Sequence, residues 1–85
     1  MELDCGIPRA RLVAWLDDEL ALDRTEDAWR FSCEAGPCTI ALAPLAPRRL
    51  GTLEFERTSI VLSGDRDAIE SFLHLFTLRF ASAGG

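Results

Sequence analysis

Hydrophobic and polar positions alternate most strictly between Trp29 and Leu42. Trp29, Phe31 and Cys33 interleave with Arg30 and Ser32, and Cys38, Ile40 and Leu42 interleave with Thr39 and Ala41. A period of two over this length predicts a pair of half-buried strands, a β-hairpin over 28–43. Glu34-Ala35-Gly36-Pro37 reads as its four-residue loop. That length opposes Cys33 to Cys38, Phe31 to Ile40 and Trp29 to Leu42, and puts all six side chains on one face.

Before the hairpin the period changes. Leu12, Val13, Trp15, Leu16, Leu20 and Leu22 share one half of a helical wheel, with Arg11, Asp17 and Asp18 largely opposite. A helix over Pro8 to Leu22 follows, Pro8 being suited to a first turn where its missing N–H costs nothing. After the hairpin, two prolines in Ala43–Arg49 predict an irregular connection. Gly51 to Leu62 is rich in strand formers, but its apolar positions change parity, from Leu53 and Phe55 to Ile60 and Leu62. That change predicts a bulge or bend at Glu56–Ser59, and leaves open whether 51–62 is one bent strand or two. Ser63-Gly64-Asp65 is turn chemistry, Asp65 or Asp67 can cap a helix, and Ile69, Phe72, Leu73, Phe76 and Phe80 form the stripe of a C-terminal helix.

The expected architecture is therefore α+β. It has an N-terminal helix, a three- to four-stranded antiparallel sheet (the hairpin 28–43 plus the strand region 51–62) and a C-terminal helix. The helices cover one face as a two-layer α/β sandwich. Residues 1–85 are expected to form a single small domain, with 81–85 a flexible tail.

Charge adds to this picture. Residues 1–29 hold eight acids against three arginines, while residues 30–85 hold six of each, so the net charge of −5 belongs to the first third. An acidic chain suits neither nucleic acid nor an anionic membrane, both of which need a basic face. No basic-then-apolar leader and no run of ~20 apolar residues is present, so a cytoplasmic location is expected. The chain has no Lys, Tyr, Asn or Gln and one histidine, which removes most general acid–base chemistry and predicts a non-enzyme.

Several side chains are candidates for function. Asp17, Asp18 and Glu19 crowd the C-terminal turns of the first helix, where the macrodipole disfavours them by ~0.3–1 kcal/mol each. They are either a solvated face or an acidic docking surface for a protein partner. Cys5, Cys33, Cys38 and His74 are numerically a Cys₃His ligand set, but the spacing fits common zinc sites poorly and favours structural cysteines. No cofactor is expected. Opposed in the hairpin, Cys33 and Cys38 also suit a disulfide or redox pair. Glu54 and Glu56 point outward together, and Arg48-Arg49 is a possible anion site whose simpler reading is a solvated pair. Leu75 and Leu78 extend the apolar surface of the last helix beyond its stripe and are expected to help form a homodimer interface.

Gly84-Gly85 resembles the tail of ubiquitin-like sulfur carriers, proteins of similar size that end in a reactive diglycine; that resemblance implies a carrier or modifier activated at Gly85. The order of elements and the acidic balance resemble those of small acidic secretion chaperones. From the residues themselves, the expectation is a small cytoplasmic, non-catalytic binding or adaptor module working as a homodimer. The alternatives are the diglycine carrier and a cysteine-based redox or metal-binding protein.

Overall fold

The computed structural model describes residues 1–81; residues 82–85, with the Gly84-Gly85 motif and nearly all of the expected tail, lie outside the described residues. In chain order the elements are β1 (Glu2–Cys5), α1 (Arg9–Ala14, continued by a wider π-type turn at Trp15–Glu19), β2 (Asp23–Thr25), β3 (Ala28–Cys33), β4 (Gly36–Leu50), β5 (Leu53–Gly64) and α2 (Arg66–Phe76, continued by a second such turn at Thr77–Ala81). The fold is α+β, with one antiparallel sheet in the order β1-β5-β4-β3-β2.

Five strands replace the three or four expected, because β1 and β2 are too short to show a period. β1 alternates apolar and polar over only four residues, and the three residues of β2 are all exposed. β1 adds to β5 as an edge, Leu3 opposite Ile60 and Cys5 opposite Thr58, and is held there by Arg57–Asp4 at 2.9 Å. The buried Thr58 hydroxyl donates to the Ile7 carbonyl at 2.9 Å, fixing the turn from β1 into α1.

The hairpin forms with the predicted face but in a different register. Cys33 opposes Gly36, Phe31 opposes Cys38 and Trp29 opposes Ile40, so the loop is the two residues Glu34-Ala35. Gly36, at φ 135°, supplies the conformation that lets the chain reverse so tightly. A slip of two residues keeps every side chain on its own face, which is why the alternation alone does not resolve it. Cys33 and Cys38 are therefore not directly opposed.

Beyond Leu42 the expected loop is strand. β4 runs on to Leu50, paired with β5 as far as Leu50 opposite Leu53. Pro44 and Pro47 are tolerated because β3 reaches β4 only as far as Ala41, leaving β4 an edge strand where a missing N–H breaks no second ladder. β5 is one continuous strand. The register irregularity lies between Leu45 and Arg48 of β4, where Ala46 and Pro47 stand against the single residue Glu56. The parity change in β5 has another origin: Thr58, Ile60 and Leu62 are buried beneath the helices, while Leu53, Phe55 and Val61 sit on the opposite face and are exposed.

Both helices pack on the first of these faces. Leu12, Trp15 and Leu16 of α1 and Ala68 and Phe72 of α2 close over Trp29, Cys38, Ile40, Leu42, Ile60 and Leu62 in one buried cluster. Trp15 joins the two helices, with ring centroids 5.4 Å from Phe72 and 5.1 Å from Phe80, the latter nearly edge-on at 83°. Such pairs add ~0.5–1.5 kcal/mol beyond the area they bury. α1 is shorter than expected: Pro8 precedes it in an extended conformation, and Leu22 falls outside it. The chain leaves the final turn through Leu20 N–H to Trp15 C=O at 2.9 Å and a positive φ at Ala21. Asp65 caps α2, its carboxylate accepting from Asp67 N–H at 3.0 Å.

Candidate partner-binding surface

The acids singled out at the end of α1 fall into two kinds. Asp17 accepts the indole N–H of Trp29 at 2.7 Å and pairs with Arg24 at 3.2 Å. The Arg24 guanidinium lies 4.7 Å from the Trp29 ring centroid, so carboxylate, indole and guanidinium form one closed group joining α1 to β3 and β2. Glu19 takes both of its contacts from Arg79 Nε, at 3.1 and 3.3 Å, tying α1 to the end of α2. Only Asp18 is exposed with no partner among the described residues. Two of the three acids thus stand against the dipole because the chain itself supplies their counter-groups.

The cysteines and the histidine do not converge. Cys5 is on β1, Cys33 and Cys38 are on β3 and β4, and His74 is exposed on α2. Among the described residues no group of three His, Cys, Asp or Glu side chains is placed to hold a metal ion. All three cysteines are free thiols. Burial, and secondarily the neighbouring Cys33, push the Cys38 thiol above its ordinary value. A raised pKa keeps Cys38 protonated and unreactive near neutral pH. Cys33 directs its Sγ to the Gly36 carbonyl at 3.7 Å.

The paired features of the β4–β5 ribbon separate to opposite faces. On the helix side Glu54 pairs with Arg49 at 3.3 Å, and Glu56 accepts the Arg9 backbone N–H at 2.8 Å. Glu56 thereby places a negative charge at the start of α1, where the dipole welcomes it. On the other side lie Arg48, Leu50, Leu53, Phe55 and Arg57.

That other side is the surface with the strongest claim to a function. The helices leave it bare. Past Ala41 on one flank and Thr58 on the other, β4 and β5 have no further neighbours and continue as a two-stranded arm. The molecule is consequently long, 46 × 31 × 24 Å. Of the six exposed large hydrophobic side chains among the described residues, Leu50, Leu53, Phe55 and Val61 all project from this face, at 54, 61, 46 and 38% exposure. The remaining two are Met1 and Leu78. Toward the body the same face carries small residues: Ala28 opposite Ala41, and Ala43 opposite Ser59. Bulky apolar groups on the arm thus adjoin a shallow trough. Where the arm leaves β1, an open cleft of about 790 Å³ is lined by Cys5, Leu50 and Phe55 and rimmed by Arg48 and Arg57.

Of the expected interface pair, Leu75 is half-buried and packed against the core, lining a shallow depression with Phe31 and His74, and Leu78 is 60% exposed. Leu78 adjoins Arg79, the partner of Glu19, whereas Leu75 faces the depression beside Phe31. Sequence reasoning passed over the arm, although the signal was present: Leu53, Phe55 and Val61 share one parity, which an uninterrupted strand with two apolar faces explains without a bulge. The chain matches no known family model, and comparisons with characterised proteins and with solved structures give no significant match.

Proposed function

We propose that this chain is a small non-catalytic binding module, acting in the cytoplasm, that engages a protein through the open sheet face and its arm. The observation that carries this reading is the gathering of four exposed apolar side chains on one uncovered face. The three on the arm, Leu50, Leu53 and Phe55, leave on the order of 300 Å² of apolar surface in water, a size at which the largest patch on a monomer is often functional, and Val61 lies about 20 Å further along β5 at ~3.3 Å per residue. A two-stranded ribbon is marginal alone, so the arm gains most from being covered. Nucleic acid and anionic lipid are poor candidates for the contact, since the chain carries a net charge of −5. The side-chain inventory, lacking Lys and Tyr and with His74 exposed, favours binding over catalysis.

A benzophenone amino acid in place of Phe55, irradiated in the source cell, tests this directly. Crosslinking to a protein at position 55, and not from the same group at Glu34 in the opposite hairpin turn, is the expected result. No protein adduct at position 55 would overturn the reading.

A further inference from the structure

The open face is bipolar in both shape and charge. Its arm half is bulky and cationic, with Leu50, Leu53 and Phe55 beside Arg48 and Arg57. Its body half is small and bears three acids, Glu2 and Asp4 on β1 and Asp23 on β2, against one cation, Arg30 on β3. A surface with complementary halves is matched by its own reverse. We infer that the occupant of this face is a second copy of the chain, laid across it with strand direction reversed, so that each arm covers the trough of the other. This rests on the preceding proposal that the open face is a protein contact.

The register makes the overlay specific. The arm meets the body at the pair Leu45–Arg57. A twofold axis lying between the two sheets, at right angles to β5 and level with Arg57, brings residues equally far to either side of it together. Leu53 then meets Val61 of the second copy, and Phe55 comes level with Ser59, which is buried there with its hydroxyl donating to Glu2 at 3.3 Å. Arg57 itself is already drawn to Asp4 at 2.9 Å, which neutralises its charge beside the axis. Laying the copies in the same direction would instead stack arm on arm and set Arg48 near its own image. The reversed arrangement avoids that repulsion and sets Arg48 over the small Ala43 of the second copy. The arm extends roughly 20 Å beyond its neighbouring strands at ~3.3 Å per residue. Two such contacts bury on the order of 1,000 Å² in total, the lower bound for a specific interface. Leu75 and Leu78 lie on the helix side and take no part.

Light scattering on the purified full chain across micromolar concentrations tests the inference. Wild type should run at twice the chain mass. Leu53→Ser with Phe55→Ser, both remote from the buried cluster, should keep the circular dichroism of wild type and dimerise at least about tenfold more weakly. Leu78→Glu should remain dimeric. A monomeric wild type, or a double variant as dimeric as wild type, overturns the second copy as occupant. If the purified chain is monomeric while position 55 crosslinks to a different protein in the cell, this inference fails and the binding-module proposal stands. If position 55 crosslinks to nothing, both fail.

Discussion

Replacing Asp17 tests the reading that this acid is a structural link. Considered only as a charge near a helix C-terminus, its removal should leave the fold intact or slightly stabilise it, by the few tenths to one kcal/mol of the dipole term. The structure reverses the sign. Trp29 is 1% exposed and its indole N–H donates at 2.7 Å to Asp17, so Asp17→Ala strands a buried donor. An unsatisfied buried donor costs ~1–3 kcal/mol, and bonds to charged acceptors lie toward the upper part of that range. The Arg24 pair adds little, because both partners are substantially exposed, at 40 and 31%. A net loss of about 2 kcal/mol is expected, a substantial share of the ~4–13 kcal/mol total stability of a chain this long. At ~4–8 °C per kcal/mol for a chain of this size, Tm should fall by roughly 8–16 °C. Asp17→Asn, which keeps an acceptor in place, should lose less than half as much, and the exposed Asp18→Asn should stay within ~0.5 kcal/mol of wild type. Urea titrations followed by tryptophan fluorescence suit the purpose, since Trp15 and Trp29 are both buried and there is no tyrosine. If Asp17→Ala and Asp18→Asn unfold at the same urea concentration, the indole–carboxylate bond contributes nothing and Asp17 returns to being a surface charge.

Two further outcomes follow from the hairpin. With no Lys and no Tyr, cysteine is the only side-chain type in this chain that ionises between about pH 8 and 11. Because the folded Cys38 thiol holds its proton above the ordinary value of 9.0, the unfolded chain binds fewer protons there. Stability should accordingly fall as pH rises from about 9 through the folded pKa, and Cys38→Val should flatten that decline in urea midpoints measured under reducing conditions; an identical decline in the variant would refute the assignment. Gly64→Ala should destabilise by at least ~2 kcal/mol, because φ is 124° and a Cβ would sit 2.7 Å from the Pro37 carbonyl oxygen; a melting temperature within ~2 °C of wild type would show that β4 and β5 separate easily at that end.

The parts of the fold that periodicity exposes are those where one face is buried and the other wet. Trp29 to Leu42 and Ile69 to Phe80 satisfy that condition, and the strands and helix there follow from the pattern of residues. The condition fails at both sheet edges. β1 is fixed by tertiary contacts, through the Arg57–Asp4 pair and the Met1 carbonyl, which accepts Leu62 N–H at 2.7 Å. No window of four residues reveals such contacts. β2 buries nothing, so it has no hydrophobic signal at all. The hairpin register escapes for a related reason, since a two-residue slip preserves the faces.

The candidate surface was masked for a different reason, although the parity of Leu53, Phe55 and Val61 carries its signal: it lies where the usual rules about strands are suspended. Proline excludes a segment from a sheet only where both edges of the strand are paired, and Pro44 and Pro47 lie where β3 no longer reaches. A parity change demands a bulge only if one face alone is apolar, and β5 is apolar on both, beneath the helices at Ile60 and Leu62 and in the open at Leu53, Phe55 and Val61. Both departures fall in the same stretch of chain. A strand that accepts edge prolines and keeps large apolar side chains in water departs from the local rules that stabilise a solitary monomer, and such departures concentrate at sites of function. The acids of α1 show the converse. Their placement against the dipole suggested a docking surface, yet Asp17 and Glu19 are taken up by Trp29, Arg24 and Arg79 of the same chain. An unfavourable local choice points to function only when the fold itself offers nothing to offset it; by that criterion the arm qualifies, and those two acids do not.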